Sequence, residues 1–193
     1  MTVSVAYLRA SPQIKDRPQP SFVAGHSLGE YTALVAASTL SFAEGLRLAR
    51  ERGRLMQEAG DRASGGMLAI IGLDEASVRT VCQATGMEIA NINSPGQIAI
   101  SGPAEVIDMA TQLAKEMGAL KVIPLQVSGA FHSRLMQPAA VGMERAVSNL
   151  QFRDAVIPIV ANTTARPMTS GDELKAELLG QLCHPVLWQK SVE

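Results

Sequence analysis

The chain has 193 residues, 47% of them hydrophobic and 18% charged, and a formal net charge of -1 at pH 7. This composition is that of a globular protein with a core large enough for one or two domains, and it excludes intrinsic disorder. The near-neutral charge and the 4% aromatic content provide neither a basic nor a stacking surface, so nucleic acid is excluded as an expected partner.

The N-terminal third of the chain predicts a strand followed by helices. The predicted elements are a helix end at 1–10, a proline-rich loop at 11–20, a buried strand at 22–24 and helices at 31–37 and 41–60. The last helix begins at a capping box, because Ser41 and Glu44 have the spacing at which each side chain binds the other's backbone N–H.

Residues 64–127 have a different pattern. In order, the predicted elements are a strand at 66–72, a helix at 74–85, strands at 88–92 and 97–101, a helix at 103–117 and a strand at 120–127. The order β-α-β-β-α-β is the ferredoxin-like split motif, which can bury its own core. We therefore predict an α/β fold in which a core, 1–63 and 128–193, is interrupted by an insert at 64–127.

The C-terminal third returns to an α/β pattern. The predicted elements are a helix at 135–150, a buried strand at 156–162, a loop at 166–167, a helix at 171–183 and the start of a helix at 188–193. His184-Pro185 ends the helix at 171–183, because proline lacks the backbone donor that a helix needs.

The strand at 22–24 leads into Gly-x-Ser-x-Gly at 25–29, the main chemical motif of the chain. Two glycines around one serine suit a turn so tight that both flanking side chains must be absent. Such a turn places the serine hydroxyl at a strained apex over a helix N-terminus, whose unpaired N–H groups favour an oxyanion. The motif therefore predicts a nucleophile elbow with Ser27 as the nucleophile.

A serine nucleophile needs a base, and the chain has three histidines. His26 adjoins Ser27, but successive side chains at a tight turn point apart, which favours a packing or hydrogen-bonding role. His184 stands at a helix end, where a structural role is favoured. His132 lies in a loop after the last strand of 64–127, where catalytic groups are often found. His132 is therefore the candidate base, and a surface loop histidine is the alternative.

The remaining residue types bear on compartment and metal binding. Cys82 and Cys183 lie far apart in the chain and fit two buried free thiols in a reducing compartment better than a disulfide. Because the chain shows neither a signal peptide nor a long apolar run, we expect a cytoplasmic protein with no membrane partner. His26 and Glu30 stand four residues apart without a third ligand, so no metal site is predicted.

Five segments, taken together, resemble a known family. They are residues 25–30 (Gly-His-Ser-Leu-Gly-Glu), Glu51-Arg52-Gly53, residues 91–97 (Asn-Ile-Asn-Ser-Pro-Gly-Gln), residues 129–133 (Gly-Ala-Phe-His-Ser), and Gln181-Leu182 with Pro185-Val186-Leu187-Trp188. In this order they are similar to segments of the malonyl-CoA:acyl-carrier-protein transacylases and of the related acyltransferase domains of polyketide synthases. The resemblance implies an α/β-hydrolase-like core with a ferredoxin-like insert, in agreement with the organisation predicted above.

The resemblance implies a ping-pong acyltransferase. Ser27 would attack the thioester of malonyl-CoA with His132 as base, hold malonate as an ester and release it to the phosphopantetheine thiol of an acyl carrier protein. Gln181 would orient His132 through its main-chain carbonyl, and the N–H of Leu28 would be one oxyanion donor. No cofactor is implied, because the CoA thioester is a substrate. The expected partners are malonyl-CoA and a carrier protein of fatty-acid or polyketide synthesis, and the expected state is a monomer.

Two further residues acquire a role in substrate binding. The resemblance implies that Arg52 pairs in bidentate fashion with the malonyl carboxylate. Its residue pattern alone places it with Arg47, Arg50 and Arg54 on a solvated helix face. Phe131 matches a position associated with malonyl rather than methylmalonyl choice, because a bulky ring leaves no room for a branch.

The chain also departs from the family pattern. Family members carry Gly-Gln-Gly-x-Gln before the elbow, whose glutamine gives a second oxyanion N–H, and they continue beyond the position of Glu193; residues 1–20 contain no such motif. We therefore expect a chain truncated at both ends and poorly active, because loss of one oxyanion donor costs about 10²–10³ in rate. Two alternatives remain, a serine hydrolase such as an esterase or thioesterase, and an inactive truncated remnant that binds carrier protein.

Overall fold

The computed structural model describes residues 1–10 and 20–193. Its helices are α1 (Thr2–Ala10), α2 (Gly29–Ala36), α3 (Phe42–Arg62), α4 (Glu75–Thr85), α5 (Ile107–Glu116), α6 (Gln137–Val147), α7 (Gly171–Gly180) and α8 (Trp188–Val192). Its strands are β1 (Val23–Ala24), β2 (Gly65–Ile71), β3 (Glu88–Ser94), β4 (Gln97–Pro103), β5 (Lys121–Leu125), β6 (Ile159–Val160) and β7 (Pro167–Met168). The proline-rich loop predicted at 11–20 lies outside the described residues, except for Pro20.

A four-stranded antiparallel sheet with the order β3-β4-β2-β5 occupies the middle of the chain. The register pairs Leu68 with Ile100 and Ala69 with Ile123. Because side chains alternate along a strand, Leu68 and Ile100 lie on the face that α4 and α5 cover, and Ala69 and Ile123 lie on the other face. The residues that form the centre of this buried layer are Leu68, Ile70, Val78, Val81, Ile98, Ile100, Ala110 and Ala114. The β-α-β-β-α-β order predicted for 64–127 is present.

The second face of this sheet contacts the rest of the molecule. The half-buried ring of Phe131 packs against the buried residues of that face, which are Met67, Ala90 and Ala99. At the sheet edge, Val186 runs beside β3, and its N–H and C=O both bind β3 backbone groups at 2.9 Å. The loop after β5 and the chain before α8 are therefore held against the large sheet.

A smaller sheet has the order β1-β6-β7. β1 is parallel to β6, with Val23 beside Ile159, and β7 is antiparallel to β6. Helices α2, α3, α6 and α7 pack around this sheet and bury a separate core. Its largest fully buried side chains are Tyr31, Leu34, Leu40, Met136, Met143, Ile159, Leu174 and Leu178.

The prediction for β6 and β7 is wrong in two places. The strand predicted at 156–162 is paired only at Ile159–Val160, and the loop predicted at 166–167 contains the start of β7. Pro158 has no N–H to give to a ladder, and the N–H of Val156 binds a carbonyl at the C-terminus of α2. The apolar run therefore overestimates the length of the strand.

Three predicted helices are shorter than expected. The helix predicted at 103–117 begins with a 3-10 turn, Ala104–Val106, and its α-helical part is Ile107–Glu116. The helix predicted at 135–150 begins as a 3-10 turn, and its α-helical part ends at Val147. The helix predicted at 171–183 ends at Gly180 and continues as a 3-10 turn, Gln181–Cys183. Because the last carbonyls of a helix have no partner within it, the oxygen of Gln181 is free to accept a hydrogen bond from another element.

Three predictions concern the whole chain. Of the helices in the two described ranges, none is both long and apolar enough to cross a membrane. Those ranges also contain no group of three or more His, Cys, Asp or Glu residues that could hold a metal ion. Cys82 and Cys183 are both free thiols, but only Cys82 is buried; Cys183, beyond the end of α7, is half-buried, so the prediction of a buried thiol is wrong there.

Candidate active site

Ser27 lies in the turn between β1 and α2. Its φ is +52°, a left-handed conformation that costs a residue with a side chain about 1–3 kcal/mol. Gly25 permits the turn, because a Cβ on it would lie 2.1 Å from the carbonyl carbon of Gly29. Gly29 has open space where its own Cβ would be. The predicted strand, turn and helix are present, but the expectation that both glycines must lack a side chain is wrong for Gly29.

Three residues form a hydrogen-bonded chain at the elbow. Ser27 Oγ lies 2.8 Å from His132 Nε2, and His132 Nδ1 lies 2.8 Å from the main-chain oxygen of Gln181. A carbonyl oxygen only accepts, so Nδ1 carries the proton and Nε2 keeps a lone pair for the Ser27 hydroxyl. An imidazole in this arrangement can take the serine proton. The structure thus brings together the nucleophile, base and orienting carbonyl named from the sequence.

His132 is held in the form that a base requires. The side chain is buried, and its φ is +59°, so both ends of the serine–histidine pair have left-handed backbones. Burial, and to a smaller extent the charge of Arg52, lowers the pKa of His132 to about 4, while the hydrogen bond to Gln181 opposes this shift. The imidazole is therefore neutral at pH 7 and free to accept a proton.

The other two histidines lie outside this chain of hydrogen bonds. His26 Nε2 is 2.9 Å from Asn93 Oδ1, and its ring packs edge-on against Trp188. His184 Nδ1 is 2.8 Å from the carbonyl oxygen of Gly180 at the end of α7. His26 therefore has the packing and hydrogen-bonding contacts predicted for it, and the bond of His184 to the end of α7 agrees with the structural role predicted there.

Arg52 points from α3 into the site. Its side chain is buried, and Nη2 donates to Ser27 Oγ at 2.9 Å. The guanidinium carbon lies 5.7 Å from the centre of the Tyr31 ring, and Nε has no hydrogen-bond partner in the part of the chain that the structure describes. Burial lowers the pKa of Arg52, but a guanidinium remains charged at neutral pH. The site therefore holds a buried cation with unused hydrogen-bonding capacity.

The neighbouring arginines behave as the residue pattern predicts. Arg47, Arg50 and Arg54 are exposed, and Arg54 pairs with Glu51 and Glu58 along the same helix. The pattern alone is therefore correct for three of the four arginines and wrong for the fourth, which faces the nucleophile.

Leu28 and Phe131 are the sequence neighbours of Ser27 and His132, respectively. The N–H of Leu28 donates to no acceptor among the described residues, which leaves it available at the N-terminus of α2 for an oxyanion formed at Ser27. Phe131 precedes the base, and its ring packs against both the large sheet and the helical core. A bulky side chain thus fills the space beside His132.

Two residues with no predicted role complete the region behind the elbow. Asn162, just after β6, accepts from Ser27 N at 2.7 Å and donates to Gly25 O at 2.8 Å. Glu30, in the first turn of α2, accepts from Asn162 N at 2.9 Å and also from Gln181 Nε2. A signal for Asn162 does exist, because residues that follow two adjacent parallel strands meet at one edge of the sheet.

The carboxyl group of Glu30 has an unusual pKa. The side chain is only 1% exposed. Burial raises its pKa to about 8, the negative charge of Glu177 adds to the shift, and the hydrogen bonds from Asn162 and Gln181 oppose it. A buried titratable group therefore lies directly behind the nucleophile.

Known proteins are similar to this chain in sequence. A family model described as the acyl transferase domain matches residues 5–192. The malonyl CoA-acyl carrier protein transacylase of Bacillus subtilis is 43% identical over 178 residues, which cover 90% of this chain and 56% of that protein. The transacylase of Escherichia coli K12 is 42% identical over 197 residues, which cover 100% of this chain and 63% of that protein.

Solved structures share the fold. An acyl carrier protein S-malonyltransferase from Vibrio cholerae matches with a TM-score of 0.93 and 38% identity, covering 98% of this chain and 63% of that one. A malonyl-transacylase in complex with a type II polyketide synthase acyl carrier protein matches with a TM-score of 0.90 and 38% identity, covering 96% of this chain and 61% of that one. The chain thus spans between 56% and 63% of the length of these relatives.

Proposed function

The chain belongs to the acyl transferase domain family, and from that premise we propose that it moves a malonyl group from malonyl-CoA to the phosphopantetheine thiol of an acyl carrier protein. Ser27 carries the group as an ester between the two half-reactions. The names of the transacylase relatives and the relative solved with its carrier protein support this assignment. The carrier belongs to fatty-acid or polyketide synthesis. No resident cofactor is needed, because the CoA thioester is a substrate.

The observation that carries the proposal is the position of Arg52. A serine–histidine pair would serve an esterase or thioesterase equally well. A buried guanidinium 2.9 Å from the nucleophilic oxygen suits an acyl group that ends in a carboxylate. In a malonyl thioester, one methylene separates the carboxylate from the reacting carbonyl, so its counter-ion must lie close to the nucleophile. An uncharged acyl group would displace water from the guanidinium and leave that charge unpaired.

In the first half-reaction, His132 Nε2 takes the proton of Ser27 Oγ as the oxygen attacks the thioester carbonyl carbon. The N–H of Leu28 donates to the oxyanion of the tetrahedral intermediate. When the C–S bond breaks, the CoA sulfur leaves with the proton held by His132. The Gln181 carbonyl stabilises the transient imidazolium through Nδ1. The product is malonyl-Ser27.

In the second half-reaction, His132 takes the proton of the phosphopantetheine thiol. The sulfur attacks the ester carbonyl carbon, the C–O bond to Ser27 breaks, and Oγ regains its proton from His132. Arg52 holds the malonyl carboxylate through both steps, so the bound acyl group keeps one orientation.

Phe131 limits the acyl group at its central carbon. A half-buried ring that packs against two cores cannot move aside without leaving a cavity. A methyl branch on the malonyl group would meet this ring, so Ser27 is acylated faster by malonyl-CoA than by methylmalonyl-CoA. Equal rates of Ser27 acylation by the two thioesters, measured by intact-protein mass spectrometry, would contradict this preference.

The proposal extends to the architecture and setting of the site. The core, 1–63 and 128–193, is α/β-hydrolase-like, and 64–127 is a ferredoxin-like insert; the antiparallel order β3-β4-β2-β5 with two helices on one face supports the insert. The protein acts as a monomer in the cytoplasm, where free thiols such as Cys82 and Cys183 persist.

The test is to trap the acyl-enzyme. The purified chain is incubated with malonyl-CoA, and intact mass with peptide mapping is expected to find one malonyl group on Ser27. Addition of holo-acyl carrier protein is expected to move that mass to the carrier. Because each step is detected by mass, slow formation is sufficient. The Ser27→Ala variant and acetyl-CoA are the negative controls.

Two results would contradict the proposal. Release of malonate to water at the same rate with and without the carrier thiol would indicate a serine hydrolase. Binding of carrier protein without any adduct on Ser27 would indicate an inactive remnant.

A further inference from the structure

We infer that Asn162 is a positioning residue for the nucleophile, whose side-chain amide holds Ser27 in the left-handed conformation that aims Oγ at His132. The inference rests on the proposed role of Ser27 as nucleophile. It concerns a residue that touches neither the substrate nor the reacting oxygen.

The amide of Asn162 bridges the apex of the elbow. Oδ1 accepts from the N–H of Ser27 at 2.7 Å, and Nδ2 donates to the carbonyl oxygen of Gly25 at 2.8 Å. One planar group therefore binds the peptide planes on both sides of His26, and the second of these is the plane that precedes the Cα of Ser27. The plane that follows it is bound by the side-chain amide of Gln181. A strained backbone persists only where its surroundings over-determine it, and these bonds supply that constraint at Ser27.

The position requires an amide rather than any polar group. The carboxamide of asparagine carries an acceptor and a donor on one rigid plane. An ionised aspartate would keep the bond from Ser27 N but would set a second oxygen against the carbonyl of Gly25, where both atoms accept. Asn162 is completely buried, so water cannot replace the lost donor.

The same network reaches the base. Glu30 accepts from Asn162 N at 2.9 Å and from the side-chain amide of Gln181. That amide also donates to the carbonyl oxygen of Ser27 at 3.0 Å, while the main-chain oxygen of Gln181 binds His132. The orientation of Asn162 and the spacing of Ser27 and His132 are therefore coupled through buried hydrogen bonds.

The test measures the reactivity of Ser27 without its natural substrate. A fluorophosphonate forms a P–O bond to Ser27 Oγ and releases fluoride, while the hydroxyl proton passes to His132. Asn162→Ala is expected to lower the second-order rate constant about 10²-fold, because small displacements of a nucleophile have effects of this size. The control is Thr163→Val at the adjacent position, which removes a partly buried hydrogen bond of 2.6 Å to Glu177 and leaves the contacts of the elbow in place. Its rate is expected to stay within about threefold of wild type.

The pH dependence of the labelling rate of Asn162→Asp distinguishes a positioning role from a merely structural one. Protonated aspartic acid has the shape of asparagine, and its O–H can donate to the Gly25 carbonyl. Burial raises the pKa of such a carboxyl. The rate deficit of Asn162→Asp relative to wild type is therefore expected to shrink about tenfold between pH 8 and pH 5, whereas that of Asn162→Ala stays constant. Circular dichroism at each pH establishes that the compared proteins are folded.

Equal loss of reactivity in Asn162→Ala and Thr163→Val would overturn the inference, and so would a wild-type rate in Asn162→Ala. An Asn162→Asp deficit independent of pH would also overturn it. With malonyl-CoA, the expected result for Asn162→Ala is a lower maximal acylation rate at an unchanged half-saturating concentration. If malonyl-CoA fails to acylate wild type while the fluorophosphonate labels Ser27, the proposed function fails and the phosphonate rates still decide the role of Asn162.

Discussion

At the scale of single residues, Arg52 determines the acyl preference proposed for the site. Replacing it with alanine removes the partner of the malonyl carboxylate, and two charge-assisted hydrogen bonds are together worth a factor of about 10²–10³. We expect kcat/KM for malonyl-CoA to fall by that factor in Arg52→Ala, while acylation by acetyl-CoA does not fall. The control is Arg54→Ala on the exposed face of the same helix, which is expected to leave both rates unchanged. A parallel fall for both thioesters in Arg52→Ala would show that the arginine serves the nucleophile rather than the substrate.

The proposed role of His132 as base predicts an acid limit for the activity. Because burial lowers this pKa to about 4, the base form persists well below the range of an ordinary histidine. We expect kcat/KM to be flat from pH 7 to about pH 5 and to fall below it as the imidazole gains a proton. Initial rates with circular dichroism at each pH measure this limit. A fall centred near pH 6.5 would indicate a solvated histidine.

The site residues differ in how far the sequence predicts them. Ser27 is marked by a local turn motif, and His132 by its place in a loop after a strand. Arg52 has the residue type of its exposed neighbours, but it lies four positions after Leu48 and three before Leu55, on the face of α3 that is buried. The helical period therefore indicates its direction, whereas the residue type alone does not. Asn162 and Glu30 act through partners more than 100 residues away in sequence, which no local pattern contains.

At the scale of elements, the two glycines of the elbow make a matched pair. A Cβ on Gly25 would lie 2.1 Å from the Gly29 carbonyl, so Gly25→Ala must shift the backbone and is expected to lower the free energy of unfolding by about 1–3 kcal/mol. Gly29 has open space and begins α2, where alanine is a better helix former, so Gly29→Ala is expected to change stability by less than about 1 kcal/mol, in the stabilising direction. Chemical denaturation measures both. Equal destabilisation by the two changes would contradict the observed turn.

The sequence predicts the large sheet better than the small one. The strands of 64–127 alternate or run apolar over five residues or more, and β3 and β4 pair as a hairpin, so a local pattern is sufficient to find these strands. β6 and β7 have two residues each, and β1 pairs with β6 across more than 130 positions. In a strand as short as β6, one proline or one hydrogen bond to the end of α2 determines where the strand ends.

At the scale of the whole molecule, two buried groups give stability opposite dependences on pH. The pKa of Glu30 is raised from 4.5 to about 8, so its contribution is complete below pH 4.5 and is lost as pH rises through 8. The pKa of His132 is lowered from 6.5 to about 4, so its contribution is complete above pH 6.5 and is lost as pH falls through 4. Between pH 4.5 and 6.5, the two groups change the free energy of unfolding in opposite directions as the pH rises. Above pH 6.5, only Glu30 still changes it.

We therefore expect the free energy of unfolding to decline between pH 6.5 and 8, by at most about 1.4 kcal/mol per pH unit. Urea denaturation at half-unit intervals measures the decline. In Glu30→Gln, which cannot ionise, the decline is expected to disappear. An unchanged slope in that variant would mean that another group is responsible.

The hydrogen bond from His132 to Gln181 has a consequence for mutational scanning. The orienting atom is a main-chain oxygen, which no substitution deletes. The proposed oxyanion donor is the main-chain N–H of Leu28, which only proline would remove. An alanine scan would therefore reveal Ser27, His132 and Arg52 and report a dyad, although the imidazole has a third partner. Weakening that partner requires replacing the amide bond between Gln181 and Leu182 with an ester, whose carbonyl oxygen is a poorer acceptor, and this is a change of the backbone rather than of a side chain. The part of this site that consists of main-chain atoms depends on the path of the chain, and it persists through any substitution that preserves that path and those atoms.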